Sequence, residues 1–301
     1  MEVYRPKKMT EARQRSNLRG IWLMIIGSAV LVTSDAVSKI LTEAYPVWQV
    51  LTLRHIGALV AIFIYARFVT GWEALRVNYW PGQILRGAIF FGTAIFVIWS
   101  LQVLPLPTFT AIAFTGPFFV AALSGPLLNE KVGWRRWMAV LIGFAGMLII
   151  VRPGAPNFEW FLILPICAAI FAAFRDIITR KISGSETSIA ILFWSTIIVT
   201  LASLLAIPLG WNKLGWVDAA LFLINGILNA GAHFLIIEAL RYGEAALISP
   251  FRYSALLWSI LFGSVFWNHI PDTWVFVGSA VIAASGIYMI KRSSCLDAKT
   301  H

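Results

Sequence analysis

Two short stretches of the chain place an acidic and a basic side chain four residues apart, each near the end of a long apolar run. Asp35 and Lys39 lie in TSDAVSKI, and Asp176 and Arg180 lie in RDIITRKI. Residues four apart share one face of a helix, so each pair can neutralise its own charge. Alternatively, the pairs belong to two ion-pair networks that break in turn and gate a path, since ionisable residues at membrane depth are candidates for function.

Three further polar residues have the spacing of a binding surface. Asn225, Asn229 and His233 recur every four residues within one apolar run, which places them on one stripe of a helix. Asn225 lies near the middle of the run, the depth at which transporters bind their substrates, so we predict that the stripe lines a substrate site. The alternative is that it supplies hydrogen bonds between packed helices.

Arginines add positive charge within the apolar runs, and a buried guanidinium needs a carboxylate partner from the protein or from a substrate. We predict that Arg54 and Arg252 line the substrate site, with an ion pair between Arg54 and Asp35 as the alternative. Arg86 and Arg175 lie close enough to the ends of their runs for their side chains to reach the membrane interface.

Two tryptophans and two prolines complete the set of candidate residues. Trp99 and Trp194 lie deep in their runs, where they can stack on a flat substrate or pack in the core. Pro117 and Pro250 each remove a backbone hydrogen bond, so we predict a bend at each position. These bends act either as hinges or as static kinks.

The sequence contains none of the motifs that mark common catalytic sites. H-E-x-x-H, G-x-S-x-G, G-x-G-x-x-G and the P-loop are all absent. Cys167 and Cys295 are too few and too differently placed for a disulfide framework or a metal site. We therefore predict a protein that is not an enzyme, has no catalytic residue, no metal and no cofactor, and does not use ATP directly.

Membrane-spanning helices are the elements that must position these residues. The chain of 301 residues is 59% hydrophobic and 13% charged, whereas about a quarter of the residues in soluble domains are charged. The apolar runs of the sequence are too long for the strands of a membrane barrel, so we predict an all-α integral membrane protein. Ten runs have the length that a helix needs to cross a bilayer: residues 19–41, 47–69, 81–102, 106–128, 134–152, 158–180, 187–210, 214–239, 243–266 and 271–291.

The formal charge of +10 follows the pattern of a membrane topology signal. Basic residues concentrate in the N-terminal tail and in alternate connections, whereas only Arg152 and Lys213 lie in the connections on the other side. By the positive-inside rule, both termini are predicted to be cytoplasmic, in a multi-pass protein of the cell inner membrane. The lipid bilayer then accounts for the charge, and we predict no nucleic-acid partner.

The two halves of the chain repeat one pattern. The intervals between Trp134, Gly146 and Arg152 recur at the tenth span, and Asp35 aligns with Asp176, Lys39 with Arg180 and Pro117 with Pro250. We predict a cytoplasmic tail at 1–18, two five-helix repeats at 19–152 and 158–292, and a second tail at 293–301. Because five is odd, the repeats enter the membrane from opposite sides and enclose a central cavity within one chain. No oligomer is required.

Several segments carry a resemblance to a known family. They are the RDIITRKI end of the sixth span, Arg54 in LTLRHIGAL, LLNEKVGWRRW and the Gly-rich ends of the fifth and tenth spans. In this ten-span arrangement they resemble the EamA-type members of the drug/metabolite transporter superfamily. The resemblance implies a secondary transporter of small metabolites that works by alternating access. Bacterial exporters of aromatic amino acids are candidate close relatives, so amino-acid export is the first hypothesis.

Other functions stay open at this point. The substrate can be another anionic or zwitterionic metabolite, because buried arginines suit any carboxylate. A channel or an intramembrane enzyme is a further alternative. Carriers saturate and show exchange stimulation, and channels do not, so kinetics separates these two classes.

Overall fold

The computed structural model describes residues 7–128, 134–152, 160–182, 184–242, 251–252 and 254–297. Within these ranges every regular element is a helix. The main helices are α1 (Lys7–Ala44), α2 (Val47–Tyr65), α3 (Trp80–Val103), α4 (Leu106–Ala113), α5 (Gly116–Leu128), α6 (Trp134–Val151), α7 (Ile163–Ile182), α8 (Ser188–Leu204), α9 (Trp216–Tyr242), α10 (Ser254–Trp267) and α11 (Thr273–Asp297).

Short helical segments complete or connect these elements. A π-helical segment, Ala66–Thr70, continues α2, and a 3-10 turn, Trp72–Leu75, follows it before α3. Two further 3-10 turns, Trp160–Leu162 and Ile207–Leu209, precede α7 and follow α8.

Apolar helices coincide with all ten predicted spans. Five are long and apolar enough to cross a membrane by themselves: Leu18–Ala44, Val47–Thr70, Trp80–Val103, Trp160–Thr179 and Trp216–Ala239. Five shorter apolar helices match the remaining spans: Leu106–Val120, Leu141–Val151, Ser188–Leu204, Ser254–Trp267 and Thr273–Ser285. The prediction of an all-α membrane protein with ten spans is confirmed.

The fourth span is broken near its middle. Pro117 has no N–H to donate to the carbonyl of Ala113, so α4 ends there and α5 begins at Gly116. Thr115 bridges the break: its Oγ1 donates to the carbonyl of Ile112 at 2.7 Å. The helix is therefore interrupted where Pro117 removes a hydrogen bond, and the predicted bend and its role as a hinge stay predictions. Pro250, its partner in the repeat, lies outside the described residues.

Helix packing follows a pseudo-two-fold symmetry between the halves. Exchanging the halves replaces α1, α2, α3 and α6 with α7, α8, α9 and α11. Under this exchange the contact of α1 with α9 becomes that of α7 with α3, and the contact of α2 with α9 becomes that of α8 with α3. All four contacts occur, and α2 also packs on α8 and α6 on α11. Each half therefore buries its inner helices against the other half.

Glycine allows the closest of these approaches, between α2 and α9. A Cβ atom on Gly226 would lie 2.4 Å from the backbone N of Ala58 and 2.5 Å from the backbone O of Arg54. Real Cβ atoms do not approach backbone that closely, so only glycine fits. Gly226 and Ala230 are four residues apart and form a small-residue face of α9, and α2 packs closely on it at Gly226, as helices commonly do at such faces in membranes.

Hydrogen bonds join the two halves at both ends of the helix bundle. We call the end with the α1–α2 turn the first-turn end, and the end with residues 71–79 the second-turn end. At the first-turn end, the Tyr45 hydroxyl donates to Asp218 Oδ2 at 2.6 Å. At the second-turn end, Glu186 Oε1 accepts the backbone N–H groups of Asn78 and Tyr79 at 2.8 Å each. Both ends are therefore bridged in this structure.

Candidate functional site

The polar stripe on α9 meets α1 near the middle of the bundle. Ser34 Oγ donates to Asn225 Oδ1 at 2.6 Å, and Asn225 Nδ2 donates to Ser38 Oγ at 2.9 Å. All three side chains are buried, so these hydrogen bonds are shielded from water. At Asn225 the stripe therefore makes the interhelical contact that was the alternative to a substrate lining, and this contact joins the two halves.

Arg54 on α2 reaches the same serine and the neighbouring aspartate. Its Nη1 donates to Ser38 Oγ at 3.2 Å and lies 3.7 Å from Asp35 Oδ1. The side chains of Arg54 and Asp35 are only 4% and 13% exposed. A buried cation and carboxylate with so little accessible surface hold α2 against α1, and removing either partner would leave the other buried without compensation. The geometry thus favours the Asp35 pair over a substrate as the partner of Arg54.

Lys39 has a different partner from the one that the four-residue spacing suggested. The structure describes both side chains, and Lys39 does not pair with Asp35. Its Nζ donates to the carbonyl oxygens of Leu101 and Leu104 at 2.8 Å each. The residue four after Leu101 is Pro105, which has no N–H, so that carbonyl lacks a helical partner. Lys39 therefore caps the C-terminal end of α3, where a cation also complements the helix dipole.

Phe90 on α3 lies at the centre of a second cluster. Two histidine rings contact it edge to face, His55 with a centroid separation of 5.7 Å and His233 with one of 5.9 Å. Two guanidinium groups lie over its ring, Arg86 at 5.9 Å and Arg175 at 5.7 Å from the centroid. One buried aromatic side chain thus brings together polar groups from α2, α3, α7 and α9, and we call these five residues the Phe90 cluster.

Arg86 does not reach the membrane interface, which corrects the expectation from its sequence position. Its Nε donates to Thr179 Oγ1 at 2.7 Å, and its Nη1 donates to Ser195 Oγ. The side chain is buried because these partners on α7 and α8 face the interior. Arg86 is thus fixed between the two halves by its hydrogen bonds.

Arg175 also turns inward, toward its neighbour in sequence. Its Nη2 and Nε donate to Asp176 Oδ1 at 2.8 and 3.1 Å. The side chains of Arg175 and Asp176 are 15% and 36% exposed, far more than those of the Arg54–Asp35 pair. Arg86 and Arg252 also lie close enough to act electrostatically on Asp176. The Asp176 carboxylate is therefore surrounded by cations and still accessible.

Cations dominate the electrostatics of the bundle interior. His233 lies within the electrostatic reach of four guanidinium groups, those of Arg54, Arg86, Arg175 and Arg252. The carboxylates paired within the same region are Asp35 and Asp176. Four guanidinium groups therefore act on one region of the bundle, and such a concentration of cationic groups favours a bound anion or carboxylate.

The internal repeat of the sequence carries a signal for part of this network. The offset that aligns Asp35 with Asp176 also aligns Ser38 with Thr179, and both hydroxyls accept hydrogen bonds from a guanidinium in the structure. Phe90 had no comparable signal, because an aromatic residue in an apolar run is ordinary. Its importance comes only from its neighbours in the fold.

Neither of the two predicted stacking tryptophans makes a ring contact with Phe90 among the described aromatic pairs. Trp99 is 41% exposed, so it is not packed in the core. Trp194 donates its indole N–H to the carbonyl of Leu75 at 2.9 Å and packs against Trp80 near the second-turn end. Stacking of either side chain on a substrate stays a prediction.

Two candidate residues, Asn229 and Arg180, remain to be placed in the structure. Asn229 is buried, and its Oδ1 has no hydrogen-bond partner within the described part of the chain. The position of Arg180 is described but its side chain is not, so its predicted pairing with Asp176 falls outside the described contacts. Among the described residues, no group of three histidine, cysteine or acidic side chains is arranged to hold a metal ion.

The contact between Asn225 and Ser34 gives a direct test of the interhelical network. We expect Asn225→Ala to lower the free energy of unfolding by about 1 kcal/mol, because it removes two interhelical hydrogen bonds and such bonds contribute about 0.6 kcal/mol each in membrane proteins. A double-mutant cycle with Ser34→Ala, read by thermal unfolding in detergent, should show positive coupling. Additive effects of the two substitutions would contradict the contact.

Comparison with known proteins agrees with this architecture. The EamA-like transporter family profile matches residues 18–152 and again 159–292. The chain is 27% identical to an S-adenosylmethionine uptake transporter of Rickettsia bellii, over 90% of this chain and 93% of that one. It is 28% identical to a riboflavin transporter of Vibrio cholerae, over 88% and 90%, and 23% identical to a pseudopaline exporter of Pseudomonas aeruginosa, over 89% and 94%.

A solved crystal structure shows the same fold. It superposes with a TM-score of 0.65 at 19% identity and covers 92% of this chain and 97% of that one. At this identity the likeness concerns the fold alone. The family profile matches twice, the two matches together span most of the sequence, and the ten described spans pack with pseudo-two-fold symmetry. The chain belongs to the EamA-like transporter family.

Proposed function

We propose that this protein is a secondary carrier of small metabolites that bear a carboxylate, with amino acids as the first substrate class. The observation that carries the proposal is the convergence of guanidinium groups on Phe90, His233 and Asp176. A guanidinium binds a carboxylate through two parallel hydrogen bonds, which gives both affinity and orientation. Asp176 remains accessible for an ammonium group.

Relatives with curated functions support this substrate class in part. One is named for the uptake of S-adenosylmethionine, a derivative of an amino acid. The relatives include both uptake transporters and an exporter, so they favour neither direction. Export of amino acids is proposed here from the resemblance to amino-acid exporters. The distribution of basic residues supports a location in the cell inner membrane with both termini in the cytoplasm.

The proposed mechanism is alternating access. The halves make the same contacts in exchanged positions, so the whole can adopt two states in which the halves exchange conformations. Lys39 is the predicted gating residue at the first-turn end, where it joins α1 to the end of α3 within one half. Asp35 lies deeper, in its pair with Arg54, and Asp176 lies beside the Phe90 cluster.

Transport by the purified protein in liposomes tests the proposal. We expect vesicles loaded with labelled amino acids to release a subset of them with saturable kinetics, faster when the same unlabelled compound is outside. Arg252→Ala should slow this exchange by about tenfold or more, since it removes a half-buried charge that acts on Asp176 and His233, where the substrate carboxylate would bind. Labelled S-adenosylmethionine and riboflavin are the comparison substrates.

Controls distinguish a wrong substrate class from a loss of transport activity in general. Arg67→Ala removes an exposed arginine near the second-turn end and should leave exchange unchanged. Exchange of only the comparison substrates would contradict the amino-acid proposal. Efflux that does not saturate and is not stimulated by exchange would contradict a carrier of any kind.

A further inference from the structure

We propose that Arg175 and Asp176 together bind the head group of an α-amino acid, Arg175 its carboxylate and Asp176 its ammonium group. The inference rests on the proposed function and assigns the contact to two neighbouring residues of α7. It also separates the two aspartates that the repeat aligns. Asp176 binds substrate, whereas Asp35 holds two helices together.

The two ion pairs differ in what they connect. Asp35 and Arg54 lie on different helices, α1 and α2, so their contact contributes to packing. Arg175 and Asp176 are adjacent on one helix, where successive side chains diverge by about 100°. Their hydrogen bonds at 2.8 and 3.1 Å therefore join no two elements. Breaking this pair costs the fold no contact between helices.

The two ion pairs also differ in how much of their side-chain surface is accessible. The side chains of Arg175 and Asp176 are 15% and 36% exposed, against 4% and 13% for Arg54 and Asp35. Asp176 keeps this surface although its electrostatic environment includes Arg86, a buried residue of the other half. In the proposed complex, this accessible carboxylate is the surface that the substrate meets.

A zwitterion matches this pair without a change in charge. In the free protein, Arg175 and Asp176 neutralise each other. When an amino acid binds, its carboxylate can take the place of Asp176 on Arg175, and its ammonium can take the place of Arg175 on Asp176. One ion pair becomes two, and the net charge of the buried region is unchanged, so no isolated charge is created.

Neighbouring side chains hold Arg175 and Arg86 in position while the substrate replaces the ion pair. Arg175 lies over the Phe90 ring, 5.7 Å from its centroid, which orients the guanidinium when Asp176 releases it. Arg86 is held by Thr179 and Ser195 and does not follow. A carboxylate lacking an ammonium group would take Arg175 from Asp176 and supply no hydrogen-bond donor in its place, so binding is selective for the zwitterion.

Ligand-induced thermal stabilisation of the purified protein tests the assignment. The probes are the individual amino acids and, for phenylalanine, two analogues: 3-phenylpropionate, which lacks the ammonium group, and phenethylamine, which lacks the carboxylate. For other amino acids that bind, the matching analogues are used. We expect the wild type to prefer the amino acid to its des-amino analogue by about tenfold or more in apparent affinity.

Asp176→Asn should reduce that preference to near unity, and Asp176→Glu should restore most of it. Arg175→Gln should weaken binding of the amino acid and of the des-amino analogue alike. Asp35→Asn should lower the thermal stability and keep the preference for the amino acid. This last contrast distinguishes a substrate contact from a packing contact at symmetry-related positions.

The outcomes distinguish this inference from the proposed function. If amino acids stabilise the wild type and Asp176→Asn keeps the full preference for the ammonium group, the head-group assignment is overturned and the carrier proposal stands. If no amino acid stabilises the wild type, both fall. Loss of the preference in Asp35→Asn instead would place the head group at the other aspartate.

Discussion

Lys39→Met should lower the free energy of unfolding by about 3 kcal/mol or more, although methionine has a similar length and is apolar. The substitution removes two hydrogen bonds from a cation and leaves the carbonyls of Leu101 and Leu104 buried without donors. Pro105 cannot supply a donor to Leu101, so no small rearrangement of α3 repairs the loss. Thermal unfolding in detergent measures the effect.

Lys213→Met is the matched control, because Lys213 is exposed in the connection before α9. It should change the unfolding temperature little. Equal unfolding temperatures for the Lys39 variant and the wild type would show that the ammonium group does not cap α3.

Lys39→Met also tests the gate proposed at the first-turn end. With α1 no longer tied to the end of α3, that end should open more often. A cysteine introduced by Ser34→Cys, in a chain without Cys167 and Cys295, should then react faster with a membrane-impermeant thiol reagent added on that side. Unchanged labelling would limit Lys39 to a structural role.

Gly226→Ala should destabilise the protein by about 3 kcal/mol, near the upper end of the usual cost of overpacking. The added methyl group would lie 2.4 to 2.5 Å from backbone atoms of Arg54, Gly57 and Ala58. Backbone cannot rotate away as a side chain can, so α2 and α9 must move apart. That movement would also disturb Asn225, the adjacent residue, and weaken its hydrogen bonds to α1.

Gly231→Ala provides an unusually close control for this substitution. Gly231 lies on the same helix, and a Cβ atom added there has no neighbour within 4 Å. Alanine has a higher helix propensity than glycine, so this variant should be as stable as the wild type or slightly more stable. Equal losses at both positions would contradict the close packing of α2 on α9. Unfolding temperatures of the two variants, measured side by side, decide the matter.

The features that sequence predicted well are those set by local chemistry. Length and hydropathy identify the ten spans, because each must satisfy its backbone hydrogen bonds alone within lipid. Pro117 predicts the break in the fourth span for the same local reason, since its missing N–H ends α4 at Ala113. Spacing likewise placed Asn225 and His233 on one side of α9, where both meet interior partners.

Long-range partners were predicted poorly, because a helical pattern does not say which neighbour a side chain meets. The spacing of Asp35 and Lys39 suggested a pair within α1, but each bonds to another helix instead. Arg86 was expected to extend to the interface, which is the outcome when no interior partner exists. Its partner Thr179 lies in the other half of the chain.

Trp99 illustrates the same limit for apolar residues. A tryptophan deep in a span can face lipid, core or cavity, and composition does not distinguish these environments. The structure leaves its side chain 41% exposed, so it does not pack in the core. Phe90, without any distinguishing pattern around it, lies instead among two histidines and two arginines.

The exchange of helix contacts between the halves has a consequence for how the protein is made. Ser34 and its partner Asn225 are 191 residues apart, and ribosomes add about 5–20 residues per second. The polar groups of α1 therefore lack their partners for roughly 10–40 s after their own synthesis, until α9 has been made. Arg86 is separated from Thr179 by only 93 residues, so the α3–α7 interface can form first. The helix contacts of the first half are thus completed only as the second half is synthesised, in the order in which its helices are translated.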